Sequence, residues 1–154
     1  MNIDQKQLLI SQLDRKMALF AGIKGMALPG EGWIHAVRTT LGMTLKQLSN
    51  KLGITPQAVK DMERREKDGA VTIQRLKEVA AALDMQLVYG FVPKAESLEK
   101  MIEHRALLLA QEIVMKTSHT MHLENQGIDK AAIDNAIRKR AEKLKNELPK
   151  SLWN

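Results

Sequence analysis

A chain of 154 residues with 44% hydrophobic content suits one globular domain, or a small domain with extensions. The absence of cysteine excludes a disulfide framework, a thiolate zinc site and a cysteine nucleophile together. Lys and Arg number 24 against 18 acidic residues, and the resulting charge of +6 favours a polyanionic partner. No apolar run approaches bilayer length, and MNIDQKQLLISQLDRK has no uninterrupted apolar segment after its charges. The expectation is a cytoplasmic protein with neither a membrane span nor a signal peptide.

Breakers divide the chain into three parts, 1–31, 32–93 and 94–154. In the first, Leu9, Ile10, Leu13, Met17 and Phe20 recur at the three-and-four spacing of an amphipathic helix. The breakers Gly22, Gly25, Pro29, Gly30 and Gly32 come next and mark a linker. The second part opens on a helix whose inner face is read as Trp33, Ile34, Val37 and Leu41, with Arg38 outward and within reach of phosphate. Thr44 then precedes the apolar Leu45, Leu48 and Leu52; its hydroxyl can cap a helix that stops at Gly53, where glycine accepts a left-handed turn. Thr55-Pro56 offers a second cap with proline at the first helical position, and Ala58, Val59 and Met62 mark the inner face of that second helix. Two helices joined by Gly53-Ile54-Thr55 must cross steeply, the geometry that projects the second into a DNA major groove.

Gln57, Lys60, Asp61 and Arg64 lie off the Val59/Met62 face. Gln can pair with adenine, Lys can donate to guanine or phosphate, and Arg64 can reach the backbone. Asp61 would be repelled by phosphate unless it accepts from cytosine or holds a neighbouring cation in place. Thr72 starts a further helix with Ile73, Leu76, Val79, Ala80 and Leu83 inward. The part ends on the β-branched and aromatic run Leu87, Val88, Tyr89, Gly90, Phe91, Val92, closed by Pro93. This reads as one short strand. A lone strand leaves its backbone groups unpaired, so pairing with a symmetry mate is expected, making Leu87, Val88, Tyr89 and Phe91 dimer residues. The last part reads as a helix from Ser97 through Ile113, a break near Gly127, and a second helix from Asp129 through Leu144. The fold class is therefore mainly α, with an N-terminal helical arm, one short β-strand and a C-terminal helical extension.

The stretch LGMTLKQLSNKLGITPQAVKDMERRE resembles the helix-turn-helix of the phage-repressor-like family, with Gln47-Leu48, Leu52-Gly53-Ile54, Val59 and Glu63 at its usual positions. The resemblance implies a lambda-repressor-like domain that binds double-stranded DNA as a homodimer, with Thr44, Lys46 and Thr55 near phosphates. Pro56 departs from the polar residue common at its position, which shifts base reading toward Gln57 and Lys60.

Over its whole length, from GWIHAVRTTLGMTLKQL through MQLVYGFVP to LPKSLW, the chain is similar to the mobile mystery protein A family, found beside a Fic-domain protein. That likeness implies an antitoxin or autorepressor of a toxin pair with a Fic-domain toxin as partner. Within the tail, Thr120-Met121-His122-Leu123-Glu124-Asn125 fits Ser/Thr, three residues, Glu, then Gly or Asn, and so resembles the inhibitory helix of Fic antitoxins. In that likeness Glu124 is the obstructing carboxylate, Thr120 anchors the helix and Asn125 lets it finish. An ordinary surface helix, in a repressor whose terminal helices serve only oligomerisation, is the alternative.

Catalysis has no visible machinery. The chain lacks the His-Pro-Phe and Gly-Asn-Gly-Arg signature of Fic enzymes, any G-x-S-x-G, any Walker loop and any dinucleotide fingerprint. His119 and His122, three apart, could approach a metal with Glu112 or Glu124, but no third ligand is fixed by spacing. No cofactor is expected.

Overall fold

The computed structural model describes residues 1–123 and 129–154, with residues 120–123 described by backbone alone. It contains two compact units, Gly25–Tyr89 and a second made of Met1–Lys24 with Gly90–Asn154.

The first unit holds four short helices: α2 (Trp33–Thr40), α3 (Leu45–Leu52), α4 (Pro56–Lys67) and α5 (Ile73–Ala82). Their shared core is Ile34, Leu48, Val59, Met62 and Val79, with Met43, Leu45, Leu52, Ile54, Val71, Leu76 and Leu83 packed around it. Full burial of each large apolar side chain contributes roughly 1.5–3 kcal/mol, so this small cluster is the main source of stability. Helix α2 begins after Gly32, which has no side chain to cap it. Glu66 of α4 does so instead, its carboxylate accepting from the Trp33 and Ile34 amides at 2.9 and 2.8 Å. Gly32 sits at φ 90°, and a Cβ there would lie 2.8 Å from the Glu66 Oε1, so both backbone conformation and space call for glycine.

Three expectations for this part of the chain are corrected. Arg38 points inward, its side chain only 11% exposed, and pairs with Glu63. Trp33, Leu41 and Ile73 are about half exposed, at 49%, 57% and 47%, because they stand at the ends of short helices that bury only their middles. The run from Leu87 to Val92 forms no strand. Its composition favours extended structure, but a strand is defined by a ladder, and no neighbouring segment among the described residues offers one. The side chains of Val88, Tyr89 and Phe91 stand 67%, 60% and 85% exposed.

The second unit is built from α1 (Ile3–Ala18), α6 (Leu98–Leu123), α7 (Lys130–Glu147) and a closing 3-10 turn, Lys150–Trp153. Its core is Ile102, Ala106, Ala110, Leu144 and Leu152, with Ile10, Leu109, Ile113, Ile137, Ala141 and Leu148 against it. The buried alanines let α6 and α7 pack closely. Arg105 ties the chain end to α6, donating to the Leu152 carbonyl at 2.9 and 2.7 Å and to that of Asn154 at 3.0 Å. Helix α1 is held at both ends: Lys6 donates to the Glu147 carbonyl at 2.6 Å, and the Asp14 carboxylate caps α6 by accepting from the Leu98 and Glu99 amides. Helix α7 starts where Asp129 accepts from the Ala132 amide at 2.8 Å. Among the described residues, no helix is long and apolar enough to cross a membrane.

Candidate nucleic-acid interface

The α3–α4 pair is assembled from local signals. Thr44 Oγ1 accepts from the Gln47 amide at 3.1 Å while Gln47 Oε1 accepts from the Thr44 amide at 2.8 Å, a reciprocal capping box that fixes where α3 begins. Gly53 ends it at φ 67°, ψ 31°, the left-handed conformation glycine adopts without strain. The Ile54 amide then turns back to the Ser49 carbonyl at 3.1 Å, completing the αL cap. Two residues on, Thr55 Oγ1 accepts from the Ala58 amide at 3.1 Å and Pro56 takes the first helical position, where its missing N–H costs nothing. Ser49, 1% exposed, is a small polar residue in the core of the pair and is satisfied by donating to the Lys46 carbonyl at 2.7 Å.

Helix α4 has two faces of different character. Val59, Met62 and Glu63 are buried at 0%, 5% and 7%, while Gln57, Lys60 and Arg64 are exposed. Gln57, Lys60, Asp61 and Arg64 are spaced three, four and seven residues along the helix, so they share one stripe, opposite the buried one. Asp61 is the organiser of this stripe. Its Oδ1 accepts from the Gln57 amide nitrogen at 3.2 Å and pairs with Arg64 at 3.1 Å. A carboxylate that would repel phosphate on its own is thereby neutralised and orients its neighbours; being exposed, the pair adds little to stability. Thr44 and Lys46, at the start of α3, and Thr55, in the turn, are all exposed. The two threonine hydroxyls accept from backbone amides, which leaves each O–H proton for an outside acceptor such as a phosphate oxygen.

The inward face carries the feature that sequence reading missed. Glu63 Oε1 and Oε2 accept from the Arg38 guanidinium at 2.5 and 3.2 Å, and the His35 Nδ1 lies 3.2 Å from Oε2. Arg38 also donates to the Met43 carbonyl at 2.9 Å, so one side chain joins α2, the loop before α3, and α4. Burial pushes the Glu63 carboxyl up, but the hydrogen bonds and charges of Arg38 and His35 together outweigh it and hold it below the ordinary value of 4.5. Only the periodicity that places Glu63 on the Val59/Met62 face hinted that a carboxylate was going inside. Arg65 and Arg75 were missed as well; with Asp61 and Thr72 they border a hollow of about 180 Å³ between α4 and α5.

Elsewhere the candidate residues do not converge. Leu87, Val88 and Tyr89 close the first unit and Phe91 belongs to the second. Thr120 lies on α6 by its backbone; its side chain, Glu124 and Asn125 lie outside the described residues. So does the His122 side chain, and among the described residues no group of three His, Asp or Glu side chains is placed to hold a metal.

Replacing Gln57 and Lys60 together with Ala should reduce discrimination between a specific site and random duplex by about 1–3 kcal/mol per lost bidentate contact. Arg64→Ala should instead weaken binding to both alike and flatten the salt dependence by about one phosphate contact. Fluorescence anisotropy over a salt series separates the two outcomes.

Residues 34–89 match the family model described as helix-turn-helix. No curated protein and no solved structure matches the chain. Capped α3, glycine turn, proline-started α4 and the outward Gln57/Lys60/Arg64 stripe all fall inside the matched span, and the chain carries a helix-turn-helix DNA-binding domain.

Proposed function

We propose that this protein is a DNA-binding autorepressor and the antitoxin of a toxin pair, and that its tail also restrains a Fic-domain AMP-transferring partner. The observation that carries the DNA half is the exposed stripe of Gln57, Lys60 and Arg64 on a helix whose other face is locked into the core by Val59, Met62 and Glu63. Such a helix offers base-reading and phosphate-reading groups on a fixed scaffold, so little ordering cost opposes binding.

The toxin half rests on the likeness of the whole chain to its family and on the Thr120, Glu124, Asn125 spacing. A glutamate presented to a nucleotide pocket can pair with an arginine that otherwise grips the terminal phosphate of ATP, and a bidentate pair of that kind is strong. ATP would then bind unproductively. Glu124→Gly should leave the complex with the toxin intact and restore nucleotide transfer, measured with labelled ATP on the purified complex. A complex that remains both intact and inactive would move inhibition to bulk occlusion.

Repression through DNA alone is the second reading, favoured by the apolar surface of α1, where Leu8, Leu9 and Leu13 are 56%, 49% and 45% exposed and available for oligomerisation. In both readings the protein acts as a homodimer. The exposed Val88, Tyr89 and Phe91 offer apolar side chains for it. Val88→Asp combined with Phe91→Asp should give monomers at micromolar concentration by analytical ultracentrifugation, and a dimer that persists would place the interface on α1.

A further inference from the structure

The α6/α7 hairpin is filled unevenly along its length. In the half nearer Leu98 and Glu147, α1 lays Ile10 onto the core and the closing turn inserts Leu152. In the other half, beyond Ile113, no third element covers the pair among the described residues. A cleft of about 640 Å³ opens there, with Ile113, Val114, Ile133 and Ala136 as apolar wall. Its size falls within the range of about 300–1,000 Å³ occupied by small-molecule sites. Ala132 and Ala136 contribute only methyl groups to its α7 side.

Charge along the cleft has one sign. Lys139, Arg140 and Lys143 border it, and among the described residues no acidic side chain does. Lys143 has the distant Glu147 as partner at 3.9 Å, whereas Lys139 and Arg140 have no ion-pair partner among the described residues. Thr117 and Ser118 add hydroxyls from the α6 side. Apolar walls contribute nothing to holding a phosphate backbone, and a wholly apolar ligand would leave the cations unused. The lining fits a molecule that is apolar along its length and anionic at one end.

We infer that this cleft binds an amphipathic anion, a carboxylate bearing an unbranched apolar tail, with the tail against Ile113, Val114 and Ile133 and the carboxylate at Lys139 and Arg140. The tail removes exposed hydrocarbon from water, while the head gains charge-assisted hydrogen bonds from Lys139 and Arg140. The cleft contains none of the DNA-facing residues of α3 and α4 and none of Thr120, Glu124 and Asn125.

The test is isothermal titration of the full chain with decanoate below its micellar concentration, beside decanol and acetate as the tail-only and head-only probes. Decanoate should bind at 1:1, about tenfold tighter than decanol, the size of a charge-assisted contact, and acetate should not bind measurably. Lys139→Gln with Arg140→Gln, both exposed positions, should erase the advantage of decanoate over decanol while retaining helical content. Ala136→Phe should fill the cleft and abolish both. Absence of decanoate binding, or binding unchanged in both variants, would overturn the assignment.

Discussion

Glu63→Ala should destabilise the helix-turn-helix unit by about 3–5 kcal/mol at neutral pH. Glu63 is 7% exposed and accepts from Arg38, whose own side chain is 11% exposed. Removing the carboxylate leaves a guanidinium buried without its counter-charge, and breaking one partner of such a pair costs about 3–5 kcal/mol. A domain as small as Gly25–Tyr89 has a stability of only roughly 3–10 kcal/mol, so the loss consumes much of it. Urea unfolding followed by Trp33 fluorescence in a Trp153→Phe background reads this unit. Replacing both partners, Arg38→Met with Glu63→Leu, should recover most of the stability, which separates loss of the pair from loss of packing. The same pair sets a pH dependence. Because the folded-state carboxyl of Glu63 is held below its ordinary value of 4.5, its contribution is complete above that value and is lost as pH falls through the lowered one. Acid should therefore loosen the wild-type unit, and the Met/Leu double variant should be less sensitive.

Leu152→Ala should be the most damaging single change in the other unit. Leu152 is fully buried at 0% between α6 and α7, and large-to-small substitutions at such sites cost about 2–5 kcal/mol through lost transfer energy and the cavity left behind. Deleting residues 150–154 should cost more, because the Arg105 guanidinium then loses the Leu152 and Asn154 carbonyls as well. Thermal unfolding by circular dichroism at the helical band measures both. A deletion variant as stable as wild type would mean that α6 and α7 hold without the closing turn.

What the sequence made legible was local. Thr44, Gly53, Thr55-Pro56, Thr72 and Asp129 act within four residues of themselves, and each begins or ends a helix where its chemistry requires. The core of the DNA-binding unit was legible for the same reason, since Leu48, Val59, Met62 and Val79 repeat at helical spacing. Contacts that depend on where helices meet were not. Arg38 and Glu63 are 25 residues apart, Glu66 caps α2 from 32 residues away, and Asp14 caps α6 from 84. Periodicity announces that a face is buried without naming its partner, which is why α1 read as a separate arm although it packs on α6 and α7. It also blurred which α1 residues go inward: Ile10 does, while Leu9 and Leu13 remain about half exposed. The Leu87–Val92 run shows the opposite failure, a strong local preference for strand with no ladder within the chain among the described residues. Among the candidate DNA contacts, the outward set on α4 came from helical spacing, whereas Asp61 as the link between Gln57 and Arg64 needed side-chain geometry.

Selection from a pool of random duplexes shows whether the outward face of α4 reads DNA sequence. Wild-type protein and the Gln57→Ala, Lys60→Ala variant would be carried through the same rounds at the same salt concentration. The wild type should enrich a palindromic motif with half-sites about one helical turn apart, on the order of 34 Å, and the variant should still bind duplex but enrich no motif. A wild-type pool that stays random, or the same motif emerging from both proteins, would contradict that role for α4.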